Sequence, residues 1–328
     1  MLKNSAEVDK IKEEVKNRAK VVNTIINSYL ELKDPKVLYR AVRHLIDAGG
    51  KRLRPVLCLI SAEAIKEDWN RILPAAAAIE IIHNFTLIHD DIMDKDLMRR
   101  GVPTVHTAFD ESTAILAGDT LFAKAFEIII DCDVNPKYLT KAIKMLADVC
   151  IRICEGQYLD ISFEKRKYIT EKEYFEMIEK KTAHLIAASC ALPAVLFGKS
   201  DKLVNALWNF GLFSGIGFQI HDDILDLIGR DKIGKDWGSD IVEGKKTLIM
   251  IKAQDMGVEI DIFGKKRATE KEIENAVKKL LECGAIDYAR NKAKEFIEKA
   301  KKELKILEES KAKTLLTQIA EYLVTREY

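Results

Sequence analysis

The sequence predicts an all-α fold, a single large helical bundle over residues 1–328 with a central cavity. Three observations predict this class. The 328 residues include only 6 prolines, none after Pro193, so long stretches can remain helical. No segment alternates apolar and polar residues strictly enough to indicate a strand. No Ser-, Gly- or Pro-rich linker divides the chain, so we expect one domain although the length alone would allow about two.

Helical periodicity places the elements in order. It predicts helices near residues 5–30, 36–48, 55–68, 71–94, 111–131, 137–160, 171–197, 201–228, 238–256, 270–283, 286–308 and 312–325. Two of them begin with capping boxes, Thr170-Glu-Lys-Glu173 and Thr269-Glu-Lys-Glu272. The segments 71–94 and 204–228 are apolar nearly all round until an acidic end, so we expect them to be buried central helices.

Composition excludes several classes of function. Lysine plus arginine (53) nearly balances aspartate plus glutamate (52), so the charge does not indicate a nucleic-acid partner. The 6 cysteines lack zinc spacing and lie mostly in apolar helical stretches, which is typical of free thiols in a reducing cytoplasm. No signal or transit peptide is apparent, and no run of 18 uncharged apolar residues indicates a transmembrane segment. We therefore expect a cytoplasmic protein.

Two acidic octapeptides recur 132 positions apart, LIHDDIMD at 87–94 and QIHDDILD at 219–226. Asp90 shares a helix face with Asp94, and Asp222 with Asp226, so like charges meet directly after apolar helices. Such carboxylates suit Mg²⁺ that arrives with a phosphate-bearing substrate. Solvated acidic helix ends are the alternative, and the second copy makes it less plausible. We expect the two acidic ends to face each other across the cavity.

Basic residues form two further clusters. In GGKRLRP at 49–55, Lys51, Arg52 and Arg54 lie at the start of a helix, where free backbone N–H groups favour an anion. A charged surface turn is the alternative. The pair Arg99–Arg100 follows the first acidic motif and either binds phosphate or pairs with the aspartates; the sequence leaves both open.

Other positions also leave alternatives open. His83 lies on the face of positions 87, 90 and 94, and is either a diphosphate donor or a satisfied core histidine. Gly215 and Gly217 provide room for a ligand tail or for close helix packing. For the Lys180–Lys181 pair, the expectation from the residues alone is a position on the protein surface.

The loop GRDKIGKD at 229–236 resembles a phosphate-binding loop of nucleotide hydrolases but lacks its Ser/Thr and follows a helix instead of a strand. We reject that function. The segment still offers Lys235, Asp240 and Lys245 as a basic flap over an anionic ligand. Two acidic motifs and separate basic clusters together predict two phosphate-bearing substrates, with an apolar interior for a hydrocarbon tail.

The chain strongly resembles the trans-isoprenyl diphosphate synthases, the family of farnesyl and geranylgeranyl diphosphate synthases. The resemblance runs from Gly49 to about Thr247, and its further motifs are DDIMD-x4-RRG at 90–101, GDTLFAKAF at 118–126, EGQYLD at 155–160, KTA at 181–183 and FQIHDDILD at 218–226. Terpene cyclases share that fold but usually replace the second acidic motif. Three intact aspartates at 222, 223 and 226 therefore point to chain elongation.

The resemblance implies roles for individual residues. The Mg²⁺ ligands, for three ions with substrate bound, would be Asp90, Asp91, Asp94, Asp222 and Asp226. The catalytic residues would be Asp90, Asp91, Asp94, Asp222, Asp223 and Lys181. Isopentenyl diphosphate would be held by Lys51, Arg54, His83 and Arg100. The allylic diphosphate would be held by Arg99, Lys181, Thr182, Gln219, Lys235 and Lys245.

The implied product depends on bulk below the first acidic motif. Phe85 and Thr86 lie roughly 6–7.5 Å down the helix from Asp90. The helical wheel places Thr86 nearer the acidic face, whereas the resemblance makes Phe85 the aromatic floor. One aromatic beside a small residue resembles the archaeal geranylgeranyl type, so we predict a C20 product with some C15.

Two alternatives remain, a farnesyl-only synthase and an inactive regulatory subunit; the second is disfavoured because all six aspartates are present. The resemblance also implies a homodimer, for which helix 111–131 is a candidate interface. Many relatives end in a more basic tail than Thr-Arg-Glu-Tyr328, so the resemblance does not extend to a role of the C-terminus in closure.

Overall fold

The computed structural model describes residues 5–229 and 237–326 and confirms the all-α class. Helices α1 to α8 are Ser5–Tyr29, Lys36–Asp47, Leu53–Ala64, Leu73–Asp94, Val105–Ala108, Glu111–Ile129, Pro136–Glu164 and Glu171–Ile178. Helices α9 to α15 are His184–Leu196, Asp201–Ile228, Ser239–Glu243, Leu248–Asp255, Glu270–Glu282, Ala285–Glu303 and Lys311–Leu323. Short 3-10 turns cover Trp69–Ile72 and Leu304–Ile306, and a π turn covers Glu179–Ala183.

Both predicted capping boxes are present. At the start of α8 the Thr170 hydroxyl accepts from the backbone N–H of Glu173, whose side chain accepts from the Thr170 backbone in return. Thr269 and Glu272 make the same reciprocal pair at the start of α13. Each box satisfies backbone donors that a helix N-terminus otherwise leaves exposed.

A short hairpin interrupts the helices where the sequence predicted no strand. Strands β1 (Met98–Arg99) and β2 (Val102–Pro103) pair antiparallel, with Arg99 opposite Val102. The two loop residues, Arg100 and Gly101, both have positive φ (53° and 77°), as a two-residue hairpin turn requires. The strands are too short for apolar alternation to reveal them.

Two predicted helices are divided. The segment 171–197 becomes α8, the π turn and α9, and the segment 238–256 becomes α11 and α12. Gly244, at φ 84°, ends α11 in the left-handed conformation that glycine adopts most easily.

Helices α4 and α10 form the centre of the bundle. Helix α4 packs against α3 and α6, and α10 packs against α9 and α14. Residues 75–79 of α4 have no solvent exposure. The stretch Trp69–Asp94 is long and apolar enough by composition to cross a membrane, but 67% of its apolar window is buried inside the bundle, as expected of a core helix.

The glycines of α10 serve helix packing. A Cβ on Gly215 would lie 2.7 Å from the Cα of Ala183, and a Cβ on Gly211 would lie 2.6 Å from the Cα of Ala187. On the opposite side, a Cβ on Gly217 would lie 3.2 Å from the Ala293 carbonyl oxygen of α14. The alternative of close packing is therefore the correct one for Gly215 and Gly217.

Candidate active site

A cavity of about 730 Å³ lies between the acidic ends of α4 and α10. It is lined by most of the predicted site residues: Lys51, Arg54, His83, Thr86, Asp90, Asp94, Arg99, Arg100, Lys181, Thr182, Gln219, Asp222, Asp223, Asp226 and Lys245. Leu87, Met98 and Phe218 add apolar surface to the same cavity. Phe85 and Asp91 do not line it, and Lys235 lies outside the described residues.

The side chains of the first acidic motif point to two places, the cavity and the core. Asp90 and Asp94 face the cavity, one helical turn apart. Asp91 is fully buried, and its carboxylate lies 2.5 Å from Nε of Arg99. The structure therefore does not bring Asp91 to the place predicted for a metal ligand, because position i+1 points about a quarter turn away from its neighbour. Arg99 also pairs with Asp96 at 3.3 Å. Of the two alternatives for Arg99, phosphate binding or pairing with the aspartates, the structure therefore shows the pairing.

Burial raises the pKa of Asp90 to about 6, with the charge of Asp94 acting in the same direction and Lys181 acting against it. A carboxyl group that is buried beside a like charge favours its ionised form only where positive charge lies close to it. The residues present supply that charge only in part, since Lys181 is already paired with Asp160 at 2.6 Å.

In the second motif, each aspartate has a different partner. Asp222 forms an ion pair with Arg326. Asp226 accepts from the Ser239 hydroxyl at 3.0 Å and from the backbone N–H of Asp240 at 3.2 Å. Burial and the charge of Asp240 raise the pKa of Asp226 to about 7. These contacts connect the end of α10 to the start of α11.

Asp223 belongs to a buried hydrogen-bond network. The Tyr174 hydroxyl donates to its Oδ2 at 2.7 Å, and Nε2 of Gln219 donates to its Oδ1 at 2.9 Å. The Thr182 hydroxyl in turn donates to Oε1 of Gln219 at 2.9 Å. Thr182 and Gln219, both predicted to bind diphosphate, thus hold each other and Asp223 in place. Tyr174 was not singled out from the sequence, where an aromatic residue on the apolar face of a helix is typical of the core.

The π turn brings Lys181 and Thr182 to the cavity. A Cβ on Gly156 of α7 would lie 2.3 Å from the backbone nitrogen of Lys181, so only glycine allows this approach. Lys180 remains on the surface, where it pairs with Glu155 and Glu176. The surface default is therefore correct for Lys180 and wrong for Lys181. Asp160, the partner of Lys181, was not singled out from the sequence although it ends the EGQYLD motif.

The opposite wall is cationic. Nη1 of Arg54 lies 3.3 Å from Nε2 of His83, and a guanidinium only donates, so this imidazole nitrogen accepts. Burial and the charge of Arg54 hold the pKa of His83 well below its ordinary value, and the imidazole is neutral. His83 lines the cavity, which excludes the alternative of a core histidine. Burial also lowers the pKa values of Lys51 and Arg54.

Arg52 does not belong to this wall. Its side chain is buried and forms an ion pair with Glu80 of α4 at 3.0 Å. The residue has φ 50° and precedes α3, a left-handed conformation that turns its side chain away from its neighbours in GGKRLRP. The predicted role of Arg52 in an anion site is therefore wrong for this structure. Arg100, in contrast, lines the cavity as predicted.

The carboxylates fit magnesium that is bound together with substrate. Asp90, Asp94, Asp222 and Asp226 offer hard oxygen donors around one cavity. Within residues 5–229 and 237–326, no group of three or more His, Cys, Asp or Glu side chains is close enough to hold a metal ion alone. Mg²⁺ commonly takes one or two carboxylates and completes its shell with waters and substrate phosphates, which agrees with this arrangement.

The sequence profile of the polyprenyl synthetase family matches residues 35–280. The chain belongs to the polyprenyl synthetase family. It is 57% identical over 318 residues to the geranylgeranyl pyrophosphate synthase of Geoglobus acetivorans, covering 97% of this chain and 100% of that protein. It is 50% identical to the geranylgeranyl diphosphate synthase of Methanosarcina mazei, covering 96% and 98%. The crystal structure of the geranylgeranyl pyrophosphate synthetase of Pyrococcus horikoshii superposes with a TM-score of 0.92 at 41% identity, covering 98% and 99%.

The part of this polyprenyl synthetase below the acidic end of α4 distinguishes Phe85 from Thr86. Thr86 lines the cavity, and its hydroxyl donates to the His83 carbonyl at 2.8 Å. Phe85 packs behind it, with its ring 5.3 Å from that of Phe122 and 5.1 Å from that of His89. The helical wheel thus placed Thr86 correctly, and Phe85 supports the wall from outside the cavity.

Proposed function

We propose that this chain is a short-chain trans-isoprenyl diphosphate synthase that condenses isopentenyl diphosphate head-to-tail with allylic diphosphates. The substrates are dimethylallyl, geranyl and farnesyl diphosphate, and the product is geranylgeranyl diphosphate with some farnesyl diphosphate. The observation that carries the proposal is one cavity with carboxylates at the ends of two helices and separate sets of cationic side chains. The names of the relatives support the C20 product.

For the metal, we propose that Asp90 and Asp94 hold Mg²⁺ from one side and Asp222 and Asp226 from the other, with three ions in the loaded site. Bound Mg²⁺ neutralises the charge that develops on the leaving diphosphate. Asp91 and Asp223 act differently in this proposal, since they position Arg99 and Gln219 through the ion pair and the hydrogen bond described above.

The allylic diphosphate is assigned to the wall that contains the π turn, with ligands Arg99, Lys181, Thr182, Gln219, Lys235 and Lys245. The assignment of Lys235 rests on the family resemblance alone. Lys181 now pairs with Asp160 at 2.6 Å and Lys245 with Asp240 at 3.4 Å, so each lysine has to exchange a carboxylate for a phosphate oxygen. Such charge-assisted contacts stabilise the diphosphate as it departs and leaves an allylic cation.

Isopentenyl diphosphate is assigned to the opposite wall, with ligands Lys51, Arg54, His83 and Arg100. After the allylic diphosphate has left, the double bond of isopentenyl diphosphate attacks the allylic cation, and its electron pair forms the new carbon–carbon bond. The proton that is then lost passes to the departed diphosphate. Leu87 and Phe218 line the cavity and exclude water, which would otherwise capture the cation.

We also propose a homodimer. Helix α6 exposes apolar side chains at Ile115, Leu116 and Phe122, and α7 exposes Ile151, which together form a surface that a second copy would cover. Light scattering of the purified protein tests this. A charged residue in place of Ile115 is expected to yield monomer.

We further propose one cytoplasmic domain without a nucleic-acid partner. Met145, Phe197, Val204 and Trp208 pack against both apolar clusters of the core, which joins them. All six cysteines are free thiols, as expected in a reducing compartment.

Product analysis tests the function. Purified protein, Mg²⁺ and labelled isopentenyl diphosphate are combined with each of the C5, C10 and C15 allylic diphosphates in turn. Mainly C20 product from all three supports the proposal. Arrest at C15 supports the farnesyl-only alternative. Absence of Mg²⁺-dependent product from all three contradicts the proposal and favours the inactive regulatory subunit.

A further inference from the structure

A buried ion pair lies beneath the cationic wall of the cavity. Nη1 of Arg52 is 3.0 Å from Oε1 of Glu80, and the two residues are 3% and 2% exposed. Neither lines the cavity, which is bounded by other residues of the same two segments. A buried ion pair adds little net stability compared with an apolar pair, because both charges lose their hydration. We therefore expect this ion pair to act by orienting the groups that Arg52 and Glu80 contact.

Arg52 fixes the backbone that leads to Lys51. Its Nη1 donates to the Gly49 carbonyl at 3.0 Å and its Nη2 to the Ile46 carbonyl at 2.7 Å, so it caps the carbonyls at the end of α2. Its Nε donates to Oδ1 of Asn23 in α1 at 2.8 Å. With Glu80 this makes four hydrogen bonds from one guanidinium, all directed into the protein.

Glu80 also reaches Arg100 through Asn84. The Asn84 amide, which has no solvent exposure, donates to Oε1 of Glu80 at 3.2 Å and to the Glu80 carbonyl at 2.8 Å. That orientation leaves its Oδ1 to accept from Nη1 of Arg100 at 3.1 Å. The same Nη1 donates to the carbonyls of Leu45 at 2.7 Å and Gly49 at 2.5 Å. Within the described part of the chain, the other nitrogens of Arg100 make no hydrogen bond, and the side chain lines the cavity.

The guanidinium groups of Arg52 and Arg100 both lie close to the backbone at Gly50. A Cβ there would lie 2.9 Å from Nη1 of Arg52 and 3.2 Å from Nη2 of Arg100, and the residue has φ 144°. The two guanidinium groups therefore flank one glycine, where a side chain would displace them.

We propose that Glu80, together with Arg52 and Asn84, positions the diphosphate-binding cations Arg100 and Lys51 without touching substrate. The inference rests on the proposed function, in which these cations hold isopentenyl diphosphate. Arg52, Arg54 and Arg100 are crowded together, and the Glu80 carboxylate is buried among them, so it offsets their mutual repulsion as well as fixing their directions.

Steady-state kinetics of Glu80→Gln test this proposal. Glutamine keeps an acceptor for Arg52 and Asn84 but removes the charge, so the KM for isopentenyl diphosphate is expected to rise about tenfold. The KM for geranyl diphosphate is expected to stay within about twofold of wild type. Glu63→Gln is the matched control, because Glu63 pairs with Arg18 at 2.9 Å between α1 and α3 and does not line the cavity. The control is expected to leave both KM values unchanged.

The double variant Arg52→Met/Glu80→Met separates positioning from stability. Apolar side chains of similar length leave no lone buried charge, so the variant is expected to fold, at a lower melting temperature because Asn23 and the Ile46 carbonyl lose their donor. The KM for isopentenyl diphosphate is expected to stay raised about tenfold. If this variant or Glu80→Gln is folded and binds both substrates as wild type does, or if both KM values rise together, the proposal is overturned. Wild-type protein without prenyl transfer would instead contradict the proposed function, so the two failures are distinguishable.

Discussion

Arg326 and Asp222 form an ion pair, and the same arginine accepts a hydrogen bond at its backbone carbonyl from Nε2 of His221 at 3.0 Å. Its guanidinium also lies 4.6 Å from the centre of the Phe218 ring. The second acidic motif is thus covered by a cation from the protein itself. Under the proposed function, metal and substrate would compete with this guanidinium for Asp222.

Arg326→Gln tests that competition. Removal of the charge is expected to lower the Mg²⁺ concentration for half-maximal activity by about threefold to tenfold, since Asp222 no longer has to exchange a partner. Direct titration with Mn²⁺ by electron paramagnetic resonance checks the same effect without turnover. Arg71→Gln, at an exposed arginine paired with Asp133 at 3.1 Å, is the control. An unchanged or higher Mg²⁺ requirement would show that Arg326 does not compete.

Asp90→Asn is expected to reduce turnover by about a thousandfold or more while the fold remains intact, because a metal ligand at the leaving group is lost. Product formation at saturating substrate and Mg²⁺ measures the loss. Asp148→Asn on the surface of α7 is the control. Turnover of Asp90→Asn within about tenfold of wild type would remove Asp90 from the metal site.

The same substitution has a pH-dependent effect on stability in the metal-free protein. The pKa of Asp90 is raised to about 6 by burial, so its ionised form destabilises the fold. The penalty is absent below the unfolded pKa near 4, grows as the pH rises through 6 and is complete above it. Asp90→Asn is therefore expected to raise the free energy of unfolding by on the order of 1–3 kcal/mol at pH 8 and to change it little at pH 4. Urea unfolding in EDTA at both pH values measures this. An equal effect at both values would contradict the assignment.

Gly156→Ala is expected to displace the π turn, because the new Cβ would lie 2.3 Å from the backbone nitrogen of Lys181. We expect a destabilisation of about 1–3 kcal/mol and a raised KM for the allylic diphosphate relative to isopentenyl diphosphate. Gly211→Ala is the matched control. Its Cβ would lie 2.6 Å from the Cα of Ala187 in α9, and Gly211 does not line the cavity. The control should lose stability without changing the ratio of the KM values. The same ratio change in both variants would show that crowding alone is responsible.

Thr86→Phe is expected to shift the product from C20 to C15, because Thr86 lines the cavity four residues before Asp90 and an aromatic ring there fills the path of the tail. Phe85→Ala is expected to lengthen the product, since the wall loses its support against Phe122. Chromatography of the dephosphorylated products measures both. A wild-type product distribution from Phe85→Ala would show that Phe85 is not part of the floor.

The sequence was sufficient for the parts of the site that follow from helix periodicity. Asp90 with Asp94 and Asp222 with Asp226 recur at a spacing of four, and the structure brings both pairs to one cavity. The same periodicity places Asp91 about a quarter turn away from Asp90, and Asp91 is buried against Arg99. Asp223 lines the cavity while it is held by Tyr174 and Gln219.

The site residues that the sequence did not place correctly depend on local backbone conformation or on partners far away in the sequence. Arg52 was grouped with its neighbours because nothing in GGKRLRP indicates its left-handed φ of 50°. Helical spacing alone placed Lys181 on the surface, because a π turn changes the helical phase without a sequence signal; only the family resemblance placed it at the site. Arg326 meets Asp222 across 104 positions, a separation over which helical spacing has no predictive value.

The π turn has a consequence for how the cavity is lined. One additional residue in a helix rotates everything after it by about 100° relative to everything before it. Helix α8 buries one face and every residue of α9 is buried, so both helices pack into the core on either side of the π turn. Deletion of a single residue between 179 and 183 would restore an uninterrupted helix and return Lys181 toward solvent. At this place in the chain, one additional residue makes the difference between a continuous helix and one that presents a lysine to the cavity.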